Sequence, residues 1–476
     1  MRGFGAALLI LLSVGPAPAS DLLIRDVRVA GVASADAPPV SILIRDGRIA
    51  EIAEGVSADG VPVLDGEGAW VTPGLIDSHV HLAVSPGSEQ RRDPPELAAT
   101  LQRHHLRGYL ASGVTTVLDT GIAPEAVREI RDLLQQGVPG PRFLTLGPAL
   151  LTPDGYMSDV FPEVAVASAE EVELQLDAIV ELDVVGVKVP LEQGFGPRAV
   201  WPIHPLELRR EIAAAAKRRA LPLYVHSTSQ DEHEMGLEMG AHALVHVGYY
   251  AEEPSDSFIA RLARSGAYVM TTFAIMDARL IGYEPERLEH PVFQVAVPEI
   301  ELATARDPKA SKILLDAQMA MAAPELPGFM RRVIGWWVMG EGGLARSRDS
   351  SIDAARRMSE AGVKLVIGSD SGNWPMVPYQ FHGPTTLREM ELLAMAGLSP
   401  AQVLAAATRV PAQMLGLDAE IGSVEVGKRA DLVLLDANPL DDIANMRSIR
   451  YTVRDGVARS PRGWMKAGAA GGRTGP

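Results

Sequence analysis

The stretch "GLIDSHVHL" (74–82) carries two histidines at the spacing of a metal-ligand pair. His79 and His81 stand two positions apart in an otherwise apolar run. If that run is a β-strand, side chains two positions apart point to the same face. Two imidazoles on one face of a buried strand are either a hydrogen-bonded structural pair or two ligands of a metal ion. Because short motifs match by chance, HxH alone does not decide between these hypotheses.

Four later apolar runs end in residues of similar chemistry. These residues are Lys188, His226, His246 and Asp370. In an α/β barrel the carboxyl ends of the parallel strands meet at one mouth, where active sites lie. His242 competes with His246 because it lies on the same strand face, but it begins the strand that His246 ends. The joint pattern favours six metal-site residues: His79, His81, Lys188, His226, His246 and Asp370.

Eight apolar segments are predicted to be the strands that position these residues. Helical segments separate them, and several are continuous apolar runs typical of parallel strands buried on both faces. Ser168 and Glu171 form a capping box before one of the helices. The predicted fold class is α/β, a (β/α)₈ TIM barrel. The segments are "LIDSHVH", "TTVLDTG", "RFLTLGPAL", "VVGVKVP", "LPLYVHS", "HALVHVG", "AYVMTTF" and "KLVIGSD".

Short strand patterns at both ends of the chain predict a small composite β-sandwich. Asp46-Gly47 and Asp455-Gly456 are hairpin-turn signals within these patterns. Long insertions in a barrel commonly build lids or substrate pockets. The predicted organisation is a signal peptide (1–20), the first sandwich part (21–72), the barrel (73–417) with an insertion (274–350), the second sandwich part (418–462) and a flexible tail (463–476).

The first twenty residues have the pattern of a secretory signal peptide. Arg2 precedes an apolar run from Phe4 to Val14, and Ala17-Pro18-Ala19 is a small-x-small cleavage site. The run is too short for a membrane-spanning helix. We expect a secreted or periplasmic protein with no membrane partner once the signal is removed. An uncleaved anchor is the alternative hypothesis.

Composition excludes several classes of site and partner. The chain has 476 residues with a formal net charge of −16, which argues against nucleic acid or an anionic membrane as the main partner. It contains no cysteine, so disulfides, thiolate metal sites and cysteine nucleophiles are excluded. The expected partner is a small-molecule substrate. The sequence is compatible with either a monomer or a homo-oligomer.

The motifs together resemble the amidohydrolase superfamily, in the branch of imidazolonepropionase and the Xaa-Pro dipeptidases. The matching motifs are "VTPGLIDSHVHL", "SGVTTVLDTG", "GSDSGN" and "IGSVEVGKRADLVLLDANPL". The resemblance implies that His79, His81 and Asp370 bind one metal ion and that His226 and His246 bind a second. It also implies that Lys188, carboxylated on its side-chain nitrogen, bridges the two.

The residue types agree with this ligand set. Imidazoles and carboxylates suit Zn²⁺, the expected ion, as well as Mn²⁺. Four histidines and one aspartate leave two divalent cations short of negative charge, which a lysine carbamate would supply. A single-metal site is the alternative. Paired metals would lower the pKa of water so that hydroxide attacks a carbonyl, with Asp370 as the catalytic residue that transfers the proton.

The predicted function is hydrolysis of an amide, cyclic amide or dipeptide C–N bond by a binuclear metal-dependent enzyme. An ester or lactone hydrolase with the same metal centre is one alternative. A non-catalytic periplasmic binding protein on the same scaffold is another. Two loops, "HSTSQDE" (226–232) and "PDGYMSD" (153–159), differ from those of the dipeptidases and predict a different substrate pocket.

Other polar and aromatic residues receive weaker predictions. His104 and His105 are expected on the surface or behind the site, and His233 is a weak candidate for substrate contact. His382 is a candidate to support the metal site from behind. The pair Trp336-Trp337 is expected in the core, since large aromatic residues are mostly buried.

Overall fold

The computed structural model describes residues 21–31, 38–194, 200–247, 253–323, 326–373, 375 and 377–468. The predicted signal peptide therefore lies outside the described residues. The strands of the described chain are β1 (Leu22–Val29), β2 (Val40–Arg45), β3 (Arg48–Ala53), β4 (Val63–Pro73), β5 (Leu75–Val80), β6 (Val114–Asp119), β7 (Arg142–Thr145), β8 (Val187–Pro190), β9 (Leu223–His226), β10 (Ala243–Val245), β11 (Tyr268–Met270), β12 (Lys364–Val366), β13 (Leu432–Leu435), β14 (Ile449–Arg454) and β15 (Val457–Arg459).

Helices connect most of these strands. They are α1 (Ser88–Arg91), α2 (Pro95–Ala111), α3 (Pro124–Gln135), α4 (Ala169–Val180), α5 (Leu206–Arg218), α6 (Gln230–Glu238), α7 (Asp256–Ser265), α8 (Ala274–Asp277), α9 (Pro291–Ala296), α10 (Glu299–Arg306), α11 (Pro308–Ala322), α12 (Gly328–Met339), α13 (Glu341–Glu360), α14 (Pro384–Met395), α15 (Pro400–Ala406), α16 (Arg409–Met414) and α17 (Pro461–Lys466). Short 3₁₀ turns occupy Pro162–Val164, Ala278–Gly282, Pro285–Glu289 and Ile443–Arg447. The predicted capping box of Ser168 and Glu171 at the start of α4 is confirmed.

The eight predicted central strands are confirmed as β5 to β12, and they lie in two parallel sheets. One sheet has the order β5-β6-β7 and the other β12-β11-β10-β9-β8. Backbone hydrogen bonds cross both gaps between the sheets. Ser78 N donates to Ile367 O at 3.0 Å on one side, and Val185 N donates to Thr145 O at 3.0 Å on the other. Apolar side chains from these strands and from the surrounding helices form the largest buried cluster.

Strands from both ends of the chain pair in one seven-stranded sheet. Its order is β15-β14-β13-β4-β1-β2-β3, so that β4 lies between β1 and β13. The two Asp-Gly turns were predicted correctly. Asp46 and Gly47 have φ of 49° and 70°, and Asp455 and Gly456 have φ of 47° and 82°. Positive φ at both central residues matches the twist of an antiparallel hairpin.

The insertion between β11 and β12 is helical. Its first helix is α8, which begins at Ala274, and its last is α13, which ends at Glu360, ten residues past the expected boundary at 350. Among the described residues, no helix combines the length and apolar character needed to cross a bilayer.

The prediction that two tryptophans lie in the core is wrong, and the prediction of a flexible tail is wrong at its start, whereas residues 469–476 lie outside the described residues. Trp336 and Trp337 are 74% and 66% exposed on α12 rather than in the core. The segment predicted to be flexible from residue 463 lies partly in α17, where Trp464 is buried and its Nε1 donates to Thr452 O at 3.1 Å. The buried Trp464 side chain and its hydrogen bond fasten this short helix to β14, and α17 also packs on α2.

An ion-pair cluster joins the insertion to α14. The buried carboxylate of Asp277 accepts from Arg388 at 2.8 and 2.9 Å and contacts Arg287 and Arg348. Burial raises the pKa of Asp277, but Arg388 and Arg287 more than offset this and lower it to about 2. Because the folded pKa lies below the unfolded value, this carboxylate stabilises the fold above about pH 4. That contribution is lost as pH falls from about 4 towards 2.

We expect Asp277→Asn to lower the free energy of unfolding by about 3 kcal/mol at pH 7, because it leaves partly buried arginines without their counter-ion. Urea unfolding measures this, and the difference from wild type should shrink as pH falls from about 4 towards 2. Asp349→Asn, at a mostly exposed aspartate of the same insertion, is the control and should change stability by less than about 0.5 kcal/mol. Equal stability of Asp277→Asn and wild type would contradict the prediction.

Candidate metal centre

The predicted site residues come from strands that end at the same edge of the two parallel sheets. His79, Lys188 and His226 lie within β5, β8 and β9, near or at their carboxyl ends. His246 directly follows β10, and Asp370 lies four residues after β12. Since every connection between these strands carries the chain back to the opposite edge, all the carboxyl ends face one side.

The first group comprises His79, His81 and Asp370. His79 Nε2 lies 3.3 Å from His81 Nε2, and Asp370 Oδ1 lies 3.2 and 3.1 Å from these two atoms. Ligand atoms about 2.0–2.1 Å from one tetrahedral Zn²⁺ are about 3.3 Å from each other. These spacings therefore fit three ligands of a shared cation.

The second group comprises His226 and His246. His246 Nε2 lies 3.0 Å from His226 Nδ1, and the rings of His246 and His79 have centroids 5.0 Å apart. One ligand atom each from His79, His246 and Asp370 lies within 4.8 Å of the others. The two groups are thus adjacent, and five of the six predicted residues are brought together by direct contacts.

Lys188 is buried at the same place. Its charge acts on Asp370 and on the rings of His79, His81, His226 and His246. Burial lowers the pKa of Lys188 to about 7, although Asp370 and Asp119 raise it. A buried amine with this pKa is partly unprotonated at neutral pH and can act as a nucleophile.

A buried, unpartnered oxygen supports the fit of these residues to a divalent cation. Asp370 Oδ1 lies beside His79 Nε2 and His81 Nε2 and accepts no hydrogen bond of standard geometry from the described residues. A buried polar atom without a partner is costly unless something else binds it. Imidazole nitrogens and a carboxylate oxygen are the donor set that Zn²⁺ and similar ions prefer.

The protonation states of His79, His226 and Asp370 are those of metal ligands. Burial and the nearby charge of Lys188 lower the pKa of His79 to about 3, and burial similarly lowers that of His226 to about 3. Both rings are therefore neutral near pH 7. Burial opposes ionisation of Asp370, but His79 and His81 hold its pKa well below the usual range. Asp370 is therefore an anion that can accept a proton.

Hydrogen bonds to the remote ring nitrogens orient two of the histidines. His81 Nδ1 lies 3.2 Å from Gly121 O, and His246 Nδ1 lies 2.8 Å from Thr272 Oγ1. When Nδ1 donates to an oxygen, the proton stays there and Nε2 is free to bind a metal. The Gly121 carbonyl, which can only accept, thus sets the tautomer of His81, and the Thr272 hydroxyl holds the orientation of the His246 ring.

We expect Thr272→Val to weaken metal affinity about 10- to 100-fold, because it removes the hydrogen-bond partner of His246 Nδ1 while keeping the side-chain shape. Competition with a fluorescent chelator measures the affinity. Thr452→Val removes a buried hydroxyl that has no partner in the described chain and lies on β14, so it serves as control and should leave affinity unchanged. Equal affinities for the two variants would refute the role of Thr272.

Three buried carboxylates near the site were not predicted. Asp77 accepts from Ser369 N at 2.9 Å and Thr386 Oγ1 at 2.6 Å, which ties β5 to the segment after β12. Asp119 accepts from Leu82 N at 2.7 Å and holds the loop after His81.

Glu192 Oε2 lies 3.6 Å from His226 Nε2, and burial raises the pKa of Glu192 to about 7. Asp77 and Asp119 lie within the predicted strand segments, so the sequence offered a signal for them. Glu192 lies in the loop after β8, where no sequence motif marks it.

The remaining histidines lie behind or away from the site. His242 Nε2 contacts Met414 O at 2.8 Å at the start of β10, so the preference for His246 is supported. His233 is buried and bonds to the backbone of His246. His382 contacts Tyr109 and Val84 O and packs on His105. It therefore braces the loop after His81.

The backbone is strained at the ligands. His246, Thr272 and Asp370 have φ of 81°, 51° and 53°, a region that non-glycine residues rarely adopt. Such conformations cost about 1–3 kcal/mol each and cluster at functional sites. The fold maintains them at two candidate ligands and at the threonine that orients one of these ligands.

Comparison with known proteins agrees with this geometry. The chain is 27% identical to the imidazolonepropionase of Symbiobacterium thermophilum over 382 residues, covering 78% of this chain and 76% of that protein. Among solved structures, a Xaa-Pro dipeptidase with bound methionine has a TM-score of 0.70 at 21% identity, covering 93% of this chain and all of the other. The structure of molinate hydrolase has a TM-score of 0.68 at 20% identity, covering 95% and 97% of the two chains. The Amidohydrolase family model matches residues 70–459, and the chain belongs to that family.

Proposed function

We propose that this protein is a metal-dependent hydrolase that cleaves an amide, cyclic amide or dipeptide C–N bond of a small molecule. The observation that carries the proposal is the set of His79, His81 and Asp370 atoms 3.1–3.3 Å apart, with His226 and His246 beside them. The names of its relatives agree, since imidazolonepropionase and Xaa-Pro dipeptidase both denote enzymes of C–N bond hydrolysis.

We also propose that the chain folds as a closed barrel with a separate β-domain. The two parallel sheets form one closed (β/α)₈ barrel, a view supported by the hydrogen bonds that cross both gaps. The seven-stranded sheet forms the separate β-domain built from both chain ends. Export to the periplasm or cell exterior rests on the signal pattern of the first twenty residues.

His79, His81 and Asp370 would hold one divalent cation, and His226, His246 and carboxylated Lys188 would hold a second. Bound divalent cations polarise a carbonyl and lower the pKa of water towards neutrality. Asp370 accepts a proton as water oxygen bonds to the carbonyl carbon. It then donates that proton to the departing nitrogen as the C–N bond breaks. Asn373 donates to Asp370 Oδ2 and keeps the carboxylate oriented.

Aromatic side chains border the candidate site. The Tyr156 ring stacks on His226 with centroids 4.9 Å apart, and Trp201 meets Tyr156 edge-on at 5.4 Å. Aromatic walls bind planar or apolar groups with little loss of conformational entropy. We therefore expect a substrate with such a group next to its scissile bond.

Metal analysis and a substrate panel test the proposal. Purified protein loaded with Zn²⁺ or Mn²⁺ should contain about two metal ions per chain and hydrolyse members of a panel of N-acyl amino acids, dipeptides, cyclic amides, esters and lactones. Turnover of amides supports the proposal, whereas turnover of esters or lactones alone would favour the other hydrolase class. A folded protein that binds no metal would refute it in favour of a binding protein.

A further inference from the structure

Helix α12 presents an unusually large apolar face to solvent. Trp336 and Trp337 are 74% and 66% exposed, and Phe329 and Val333 are 64% and 65% exposed. Seven of the nineteen large hydrophobic side chains exposed in the described chain lie on this twelve-residue helix. Contiguous exposed apolar patches mark interaction sites. The α12 face comprises Phe329, Met330, Val333, Ile334, Trp336, Trp337 and Val338.

The positions around the helix define two sides. Successive residues are about 100° apart, so the α12 face covers an arc of about 200°. Gly335 is the one buried residue among those described in α12, and it lies opposite, where an added Cβ would meet the side chains of Met319 and Leu315 of α11. Arg331 and Arg332 fall at the two borders between the packed side and the α12 face. This is an amphipathic helix whose apolar side is largely exposed to solvent in the part of the chain that the structure describes.

We propose that the α12 face binds the headgroup region of an anionic lipid bilayer. Tryptophan and phenylalanine favour this interfacial zone, and arginines at the borders of the apolar arc can bind lipid phosphates. Residues 327–340 include no acidic side chain. The Arg346 guanidinium lies 5.4 Å from the centroid of the Trp337 ring and adds a third positive charge beside the α12 face.

Local charge, rather than net charge, decides the attraction. The whole chain carries −16, but charges more than about 8 Å from the contact are largely screened at physiological ionic strength. Glu325 and Glu341 flank residues 327–340 in the sequence, and Glu341 begins the next helix, so three arginines face two flanking acids. Docking of two copies through the α12 face would bring Arg331, Arg332 and Arg346 of each copy together. Charge complementarity therefore favours an anionic bilayer over a second copy.

Vesicle binding of the full chain tests this inference. Vesicles contain phosphatidylcholine alone or mixed with phosphatidylglycerol, and their acyl chains are brominated so that a contacting tryptophan is quenched. We expect anionic vesicles to quench wild-type emission and W336S/W337S to lose most of that quenching, with partitioning reduced about tenfold or more. R331Q/R332Q should reduce partitioning about tenfold on anionic vesicles only. L174S/V180S, at exposed apolar residues of α4, is the matched control and should bind like wild type.

Three outcomes would overturn the inference. One is the absence of tryptophan quenching by anionic vesicles. Another is equal quenching in W336S/W337S and wild type, which would place the contact elsewhere, for example at the N-terminal apolar run that all variants share. The third is a dimer by light scattering that W336S/W337S converts to monomer, which would assign the α12 face to a second copy. Hydrolytic activity is not a readout here, so failure of this test leaves the proposed function standing.

Discussion

Asp370→Asn is expected to lower kcat by about 10⁴-fold on the amide substrate found by the panel. The substitution keeps the side-chain shape but removes the anion that contacts His79 and His81 and the group that transfers the proton. General acid–base catalysis alone contributes about 10²–10⁴-fold, and the loss of a metal ligand adds to this. The experiment compares kcat and bound metal with those of wild type.

The control must separate chemistry from folding. Asp349→Asn changes an exposed carboxylate to the same amide and should keep wild-type kcat and metal content. Circular dichroism and the unfolding midpoint establish that Asp370→Asn is folded. If a folded Asp370→Asn variant keeps activity within tenfold of wild type, Asp370 is neither the base nor a required ligand.

Lys188→Met should lower metal content from about two ions per chain to one or fewer and reduce kcat at least about 10²-fold. Met has similar length but cannot form a carbamate, in which the amine nitrogen bonds to CO₂ carbon and a proton is released. The partly unprotonated amine expected from a pKa of about 7 is the form that reacts with CO₂. Inductively coupled plasma mass spectrometry counts the metals, and ¹³C NMR after equilibration with labelled CO₂ detects the carbamate.

Lys217→Met, at an exposed lysine of α5, is the matched control. It should retain two metals and the carbamate signal. A wild-type protein with one tightly bound metal and no carbamate signal would instead establish the single-metal alternative, with Lys188 as an ordinary buried amine. The two results differ in stoichiometry, so activity is not needed to distinguish them.

The strand ends explain why so much of the candidate site could be predicted. His79, His226 and Asp370 follow or end apolar runs, and parallel topology then brings them to one edge without any knowledge of loops. Glu192 and the stacking of Tyr156 on His226 were not predictable, because loop conformations follow from tertiary contacts rather than periodicity. The sequence marks Glu192 only as an acid close after Lys188.

The wrong prediction for Trp336 and Trp337 has a similar cause. Large aromatic residues are mostly buried when many proteins are averaged. That average does not determine the burial of one residue on a particular helix. Arg331 and Arg332 flank the apolar arc of α12, and this arrangement was readable from the sequence as an amphipathic helix. A helical wheel shows this apolar arc, but an arc of this kind normally packs on the core, so its exposure follows only from the tertiary structure.

The position of β4 between β1 and β13 has a consequence for folding order. Leu432 pairs with Pro73 and Leu435 with Trp70, so residues near opposite ends of the chain meet in adjacent strands. Contacts this distant in sequence form late, because closing a long loop is entropically costly. During synthesis, the edge of β4 stays unpaired until the segment around residue 432 has emerged. We therefore expect C-terminally truncated chains to expose that edge and aggregate rather than fold as a smaller enzyme.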